Sequence, residues 1–150
     1  MYISTKYFLP DESKQDTLIN FDNVIQIIPF DKLDLNCKSI IEFTDYKRMI
    51  IDMIFSRINF TNFILIKSIG AFIYPVSMIN KKHISFISED TSNNSKIIDI
   101  LYDPRLKEDY NKILYDLKDK NYPFTVIFLT NNNIVISDDP LIVIQNKINN

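Results

Sequence analysis

The stretch that decides the fold is residues 39–53, SIIEFTDYKRMIIDM. Read as a helix, it places apolar side chains from Tyr46 to Ile54 at helical spacing. Read as a hairpin, it consists of two β-rich runs, SIIEF and RMIIDM, joined by the polar turn TDYK. Periodicity alone does not separate these two interpretations.

A second stretch favours the hairpin. Residues 125–138 read TVIFLTNNNIVISD, and the asparagines from Asn131 to Asn133 suit a turn because asparagine tolerates left-handed backbone. VIFL and IVI are then paired strands. Alignment of the two stretches places Phe43 over Leu129 and the TDYK turn over the asparagines. We therefore predict a hairpin in both places.

The segments on either side of the hairpins are also alike. A polar corner precedes a strand in INFDNVIQIIPF (19–30) and in IYPVSMINKKHISFI (73–87). After the second hairpin, DDPLIVIQNKI (138–148) predicts a short C-terminal helix. Asp139 is its predicted cap, and Pro140 fits its first turn.

These patterns predict an α+β protein made of two related small β-meander modules that pack together. Module 1 covers residues 1–60, and module 2 covers residues 61–150 with a helical insertion at about 88–122. The insertion holds one amphipathic helix, within YDPRLKEDYNKILYDLKDKN (102–121), which Asp103 is expected to cap. The predicted apolar stripe of this helix consists of Leu106, Tyr110, Ile113, Leu114 and Leu117.

The composition is that of an ordinary globular protein. Apolar residues make up 46% of the chain, and 17 basic and 19 acidic residues give a net charge of −2 without a visible basic stripe. Abundant isoleucine and asparagine are typical of an AT-rich genome, and we expect a phage, mobile-element or bacterial origin. Gly70 is the one glycine, so turns that need a positive φ are expected to use asparagine or aspartate.

The residue types that carry catalysis or bind cofactors are scarce. His83 and Cys37 are the one histidine and the one cysteine, too few ligands for a structural zinc site. Phosphate-binding loops need several glycines within a few residues, which this chain does not have. We therefore expect no enzymatic activity, no cofactor and no metal.

The chain is expected to be cytoplasmic or part of a soluble assembly such as a virion. The segment MYISTKYFLPDESK (1–14) lacks the basic start and apolar run of a signal peptide. The apolar segment FILIKSIGAFIYPV (63–76) is interrupted by Lys67 and Ser68 and is too short to span a bilayer. We expect no association with a membrane.

The order of strand, corner and hairpin resembles a known family. FTDYKRMIID and FLTNNNIVISDDPLIVIQNKI, with INFDNVIQI (19–27), resemble the small bacterial family typified by the flagellar FlbD protein. They also resemble short phage and bacterial proteins with the order strand, INxDNV, strand, FTDGK, strand. The resemblance covers about half of the chain, and Tyr46 or an asparagine replaces the usual turn glycine. It implies a β-meander that contacts other proteins and brings no catalytic residues.

We therefore expect a non-enzymatic protein that acts through protein–protein contacts, as an assembly component, an adaptor or an inhibitor. Its partner is expected to be another protein or a second copy of the chain. IFSRINFTNFILI (54–66) and LIVIQNKI (141–148) carry more apolar surface than two small modules need inside. The candidate interface residues are Phe55, Ile58, Phe60, Phe63, Leu141, Ile144 and Ile148.

The alternative is a nucleic-acid-binding regulator that uses one face of a β-sheet. KYFLP, DYKRM and NKKH place aromatic residues or histidine beside basic ones, as stacking platforms for single strands do. The residues of this alternative face are Lys6, Lys47, Arg48, Lys81 and Lys82.

Overall fold

The computed structural model describes residues 1–68, 76–91, 95–117 and 123–150, with the side chain of residue 116 excepted. Within these ranges the chain forms ten strands and two α-helices, an α+β fold that is mostly antiparallel sheet. The strands are β1 Tyr2–Phe8, β2 Lys14–Asn20, β3 Val24–Pro29, β4 Lys38–Phe43, β5 Arg48–Ile54, β6 Phe63–Lys67, β7 Val76–Asn80, β8 Ile84–Thr91, β9 Pro123–Leu129 and β10 Ile134–Ser137. The helices are α1 Pro104–Asp116 and α2 Leu141–Asn149.

The chain divides into two compact units. Unit 1 comprises Met1–Ile66 and Val76–His83. In the described residues its sheet has seven strands in the order β2-β1-β5-β4-β3-β7-β6. Ile19 on β2 and Phe63 on β6, strands at opposite ends of this order, belong to the same buried cluster. The sheet therefore curves around its core, at whose centre Phe21 is fully buried.

Unit 2 holds Ile84–Asn150 and the segment that begins at Lys67. Its described part contains a sheet of three strands in the order β10-β9-β8 and both helices. The predicted helix is confirmed: α1 begins at Pro104, and Asp103 Oδ1 accepts a hydrogen bond from Arg105 N at 2.9 Å. The predicted stripe packs into one cluster, with Tyr110, Ile113 and Leu117 buried and Leu106 and Leu114 partly buried. Residues 118–121 of the predicted stretch lie outside the described residues.

The hairpin predicted at 39–53 is confirmed, and the helical alternative is wrong. β4 and β5 pair antiparallel, and their buried residues Ile41 and Ile51 are fully covered. β9 and β10 pair in the same way, with Val135 opposite Ile127. In the hairpin, both strands bury one face against the core. An amphipathic helix in the same place would bury only the stripe of apolar side chains on one side.

In the part of the chain that the structure describes, three hairpin turns are built with a residue other than glycine at positive φ. These residues are Glu12 in the β1–β2 turn (φ 68°), Tyr46 in the β4–β5 turn (φ 71°) and Asn132 in the β9–β10 turn (φ 69°). The expectation that asparagine or aspartate would take such positions is therefore wrong for Glu12 and Tyr46. In each turn an aspartate or asparagine instead lies one position before the residue with the positive φ.

A shared hydrogen bond explains that arrangement. In each turn the residue before the left-handed one is aspartate or asparagine, and its side-chain oxygen accepts from the backbone N–H two residues on. The bonds run from Ser13 N to Asp11 Oδ1 at 3.0 Å, from Lys47 N to Asp45 Oδ1 at 3.2 Å and from Asn133 N to Asn131 Oδ1 at 3.0 Å. This Asx bond offsets a left-handed backbone cost of roughly 1–2 kcal/mol.

The two predicted polar corners have the same local structure. Asn20 precedes the 3₁₀ turn Phe21–Asn23, and its Oδ1 accepts from Asp22 N at 3.1 Å. Asn80 precedes a second 3₁₀ turn, and its Oδ1 accepts from Lys82 N at 3.0 Å. In each corner an asparagine thus satisfies a backbone donor where one strand ends and the next begins.

The second corner is also fastened to the first inside unit 1. Asn80 is only 1% exposed. Its Nδ2 donates to the carbonyl oxygens of Phe21 at 3.2 Å and Val24 at 2.9 Å, which belong to the first corner. One buried amide therefore joins two chain segments that are far apart in sequence.

β7 joins the sheet of unit 1, although the prediction assigned its residues to module 2. Gln26 and Ile27 of β3 pair with Ile79 and Met78 of β7. Unit 1 therefore includes residues from beyond the predicted boundary at residue 60, and the chain enters unit 2 again at β8.

The predicted C-terminal helix is present, but Asp139 does not cap it. α2 begins at Leu141 with Pro140 as the N-cap residue and no side-chain capping bond. Pro140 itself has an extended backbone (φ −67°, ψ 160°), so the helix begins one residue later than predicted and Asp139 lies one position too early to cap it. Leu141 N instead donates to Glu89 Oε2 at 3.1 Å, and the Asp139 carboxylate pairs with Lys147 at 3.5 Å.

Candidate functional site

The predicted interface residues of segment 54–66 lie in the core of unit 1. Phe55, Ile58 and Phe63 are buried, and Phe60 packs against the same cluster while partly exposed. Phe60 and Phe63 meet the Phe21 ring edge to face, at centroid distances of 5.0 and 6.3 Å. Core packing therefore accounts for the apolar content of this segment.

The predicted interface residues of α2 are covered to different extents. Ile144 is fully buried, while Leu141 and Ile148 are partly buried. α2 contacts β8 and β9 of its own unit. The exposed apolar side chain on α2 is that of Ile142, which is 59% exposed.

The five residues of the alternative nucleic-acid face are spread over β1, the β4–β5 turn, the start of β5 and the 3₁₀ turn after β7. Four of them bind a carboxylate. These pairs are Lys6–Asp16 at 3.5 Å, Lys47–Asp45 at 3.4 Å, Arg48–Glu42 at 2.6 Å and Lys82–Asp22 at 3.1 Å. The remaining residue, Lys81, donates its backbone N–H to the Asn62 carbonyl at 2.7 Å. Pairing of this kind reduces the positive potential that would attract a phosphate backbone.

The loop between β3 and β4, FDKLDLNC (30–37), was not indicated by the sequence patterns. It exposes large apolar side chains: Leu33 is 96% exposed, Phe30 58% and Leu35 36%. A cluster of exposed apolar side chains is unfavourable in water and is typical of a contact surface. A signal was present in the sequence, since leucines alternate there with the turn-forming residues Asp31 and Asp34.

Side-chain hydrogen bonds hold this loop in place. Asp31 Oδ1 accepts from Leu33 N at 2.9 Å, and Asp34 Oδ1 accepts from Asn36 N at 3.0 Å. Asn36 Oδ1 in turn accepts from Ser56 Oγ at 2.7 Å. Aspartate and asparagine therefore fix the backbone while the leucines point to solvent.

Backbone hydrogen bonds anchor the same loop on the core. The first bond closes the base of the loop, from Phe30 N to the Lys38 carbonyl at 2.9 Å. Ser56 N donates to the Leu35 carbonyl at 2.9 Å, and Phe55 N donates to the Cys37 carbonyl at 2.9 Å. Because Phe55 is 1% exposed and belongs to the core, these bonds tie an exposed loop to a buried element.

Two cavities lie beside Phe30. The first, of 440 Å³, is lined by the apolar side chains of Phe8, Leu9, Pro10, Phe30 and Ile50, together with Glu12 and Lys38. The second, of 660 Å³, shares Phe30 and Lys38 and adds Asp31, Lys32, Leu33, Asn36, Cys37 and Ile54. We name the residues that line the two cavities the Phe30 surface. It lies entirely within unit 1.

The charged side chains that line the Phe30 surface are balanced in sign. Glu12 and Asp31 are acidic, and Lys32 and Lys38 are basic. Lys38 forms an ion pair with Asp52, which also binds Lys14 at 2.9 Å. Hydrogen bonds from the Lys38 and Lys14 ammonium groups lower the pKa of the Asp52 carboxyl.

Asp52→Asn is expected to lower the melting temperature at pH 7 by about 2–4 °C, as loss of one partly exposed ion-pair network should. A carboxyl with a lowered pKa stabilises the fold above its ordinary pKa of about 3.9, and this contribution is lost as the pH falls through the lower folded value. The difference from the parent should therefore shrink below about pH 4 in melts followed by circular dichroism. Asp16→Asn is the control, because the Asp16 side chain is 85% exposed and should change little. Equal losses in both variants, or a loss independent of pH, would contradict this account.

A second polar cluster lies in unit 2 around the carboxylate of Asp90, which is 6% exposed. It accepts hydrogen bonds from the hydroxyls of Tyr110 and Ser95, the latter at 2.6 Å, and from the backbone N–H groups of Thr91 at 2.9 Å and Lys96 at 3.3 Å. Burial, followed by the bond to Asp90, raises the pKa of the Tyr110 hydroxyl. A cavity of 360 Å³ adjoins this cluster. The carboxylate is engaged by internal donors, so the cluster joins β8 to α1.

The histidine and the cysteine occupy different parts of unit 1. His83 Nε2 lies 2.6 Å from the Asp22 carbonyl oxygen at the joined corners. Cys37 lies in the 30–37 loop, where its Sγ accepts from Asp31 N at 3.2 Å. In the part of the chain that the structure describes, no group of three or more histidine, cysteine or acidic side chains has the geometry to hold a metal ion.

Comparisons with protein-family models, with curated proteins and with solved structures gave no match. The resemblance to FlbD-like proteins therefore stays a prediction. Among the residues described, no helix has both the length and the apolar character needed to cross a membrane.

Proposed function

We propose that this protein acts by binding another protein through the Phe30 surface and that it catalyses no reaction. One observation carries the proposal: an anchored loop holds Leu33 at 96% exposure beside cavities lined by apolar side chains. A loop whose backbone is fixed by Asx bonds and ties to the core loses little conformational entropy on binding.

Burial of the exposed apolar side chains would contribute to the binding energy. Full burial of a leucine or phenylalanine side chain stabilises a complex by about 1.5–3 kcal/mol. Leu33, which is 96% exposed, would supply one such anchor, and Phe30, which is 58% exposed, would supply part of another. The nucleic-acid alternative has weaker support, because four of its five cations already bind carboxylates.

We also infer that the two units carry an internal repeat. The support is local: both units contain a hairpin whose turn has the same Asx bond, at Asp45 and at Asn131. Both hairpins also follow a strand that begins after an asparagine-capped corner, at Asn20 or at Asn80. The role as an assembly component, an adaptor or an inhibitor of phage or bacterial origin remains part of this proposal.

Leu33→Asp is expected to abolish capture of the protein partner while leaving the fold intact. The tagged parent, Leu33→Asp and Leu18→Asp would be incubated with extract of the native source, and the captured proteins would be quantified by mass spectrometry. Leu18 is the matched control, because it is 65% exposed on β2 of the same unit and does not line the Phe30 surface. We expect a partner that the parent and Leu18→Asp retain and that falls at least about tenfold with Leu33→Asp. Equal capture by all three proteins would refute the proposed surface.

A further inference from the structure

We propose that the partner at the Phe30 surface is a second copy of this chain, so that the protein forms a two-fold symmetric dimer. This inference rests on the proposed function and names its partner. A two-fold interface is made by the same patch on both copies, which must therefore complement itself in shape and in charge.

The shape of the Phe30 surface meets the first requirement. Leu33 projects almost fully into solvent from the 30–37 loop. The 440 Å³ cavity lined by Leu9 and Ile50 shares Phe30 and Lys38 with the cavity that Leu33 lines. A protruding apolar side chain and an apolar cavity thus lie next to each other on one patch. Rotation by 180° about an axis near Phe30 would insert each copy's leucine into the other copy's cavity.

The charges meet the second requirement. The charged residues that line the two cavities are two acids, Glu12 and Asp31, and two bases, Lys32 and Lys38. A patch with no net charge has no preference for a strongly acidic or strongly basic partner. Because the patch carries charges of both signs, an acidic residue of one copy can pair with a basic residue of the other. Like charges directly opposite each other would be costly, and the balance of signs permits an orientation that avoids them.

The anchored loop favours association between surfaces that are already ordered over binding in which the loop would have to fold. Leu33 N is held by Asp31, and the loop end is bonded to Phe55 of the core, so the apolar side chains are displayed before any partner arrives. Two identical ordered patches pay little ordering cost on association. The same patch would otherwise stay exposed to water on every free copy.

Sedimentation of the purified chain between about 1 and 100 µM tests the inference directly. We expect the parent and Leu18→Asp to shift from monomer to dimer within this range. Leu33→Asp is expected to raise the dissociation constant by about 100-fold or more and to remain monomeric, because each dimer loses the same anchor twice. Circular dichroism and melting curves verify that both variants fold, as substitutions at exposed positions should allow.

Alkylation of Cys37 gives a second readout at the surface itself. It is the one cysteine of the chain, and it lines the 660 Å³ cavity, so a thiol reagent reports on that cavity alone. In the parent, the rate of alkylation should fall as the protein concentration rises and the dimer forms. In Leu33→Asp the rate should not depend on the concentration. A dimer that leaves the Cys37 rate unchanged would overturn the inference, because it would use another surface.

Failure of the dimer and failure of the proposed function give different results. A parent that stays monomeric at about 100 µM overturns the dimer. If the extract experiment then shows a protein whose capture depends on Leu33, the partner is a different protein and the proposed function stands. If capture does not depend on Leu33 and the parent is monomeric, both proposals fail.

Discussion

Replacing Asp90 with alanine is expected to lower the free energy of unfolding by about 3–5 kcal/mol, a large share of the total for a chain of this size. The change removes an acceptor on which two hydroxyls and two backbone N–H groups converge. The Tyr110 hydroxyl would be left in a fully buried position with Ser95 at 3.2 Å as its remaining contact. A buried donor without its acceptor costs more than the bond was worth.

Urea unfolding followed by circular dichroism measures this loss, and two variants calibrate it. Tyr110→Phe removes one donor and keeps the ring, so its cost should be smaller, about 1.5–3 kcal/mol for a hydrogen bond to a charged group. Asp109→Ala removes a carboxylate from the exposed face of α1 and should stay within about 0.5 kcal/mol of the parent. A loss for Asp90→Ala no larger than that of Asp109→Ala would show that the cluster does not join β8 to α1.

The elements predictable from sequence are those that local chemistry determines. The helix α1 was predictable because Asp103 accepts from Arg105 N and Pro104 follows it, so cap and first turn are adjacent in sequence. The hairpins were predictable because the polar turns lie between two β-rich runs. Each signal extends over only a few residues, and no distant partner is needed to interpret it.

The helix start at α2 was predicted wrongly because the capping partner is distant in sequence. An aspartate followed by a proline, as at Asp139 and Pro140, is typical of a helix cap and the first residue of a helix. Pro140 is itself extended and the helix begins at Leu141, where Glu89 of β8 accepts the hydrogen bond from the Leu141 N–H. Nothing in the residues around Asp139 indicates that a glutamate fifty residues earlier would lie nearby.

For the candidate site, the sequence patterns do not distinguish a core segment from a contact surface. Apolar segments such as 54–66 are equally suited to a core and to an interface, because both remove apolar area from water. Only the burial of Phe55 in the hydrophobic cluster of unit 1 shows that it belongs to the core. The loop 30–37 has the opposite character: its few leucines lie among turn-forming and charged residues, so no helical or strand periodicity marks it as a contact surface. Their significance lies in their exposure, which is a tertiary property.

The matched corners permit a sharper test of tertiary structure than any single variant. Asn20 and Asn80 make the same capping bond, at 3.1 and 3.0 Å, but Asn80 also donates to two carbonyls of the other corner. Aspartate in place of either asparagine keeps the capping acceptor. At position 80 it also replaces the amide donor with an oxygen that faces two carbonyl oxygens in a site with 1% exposure.

Asn80→Asp is therefore expected to lower the free energy of unfolding at pH 7 by about 3–5 kcal/mol, since it buries a charge among acceptors. Asn20→Asp should stay within about 0.5 kcal/mol of the parent, as a cap that exchanges one good residue for another. Burial raises the pKa of the new carboxyl in Asn80→Asp, so protonation stabilises its folded state and part of the loss should be recovered as the pH falls toward about 5.

Urea midpoints of the two variants at pH 7 and at about pH 5 give the comparison, and the difference between variants removes the effect of the capping bond itself. A loss in Asn80→Asp that equals the loss in Asn20→Asp would mean that the two amide donors contribute nothing to joining the corners. A large loss that does not respond to pH would mean that the backbone has moved and let water reach the carboxylate. The expected result, a large and pH-dependent loss at one corner and almost none at the other, requires that the Asn80 amide stabilise the position of β7 in unit 1 in addition to the pairing of β7 with β3.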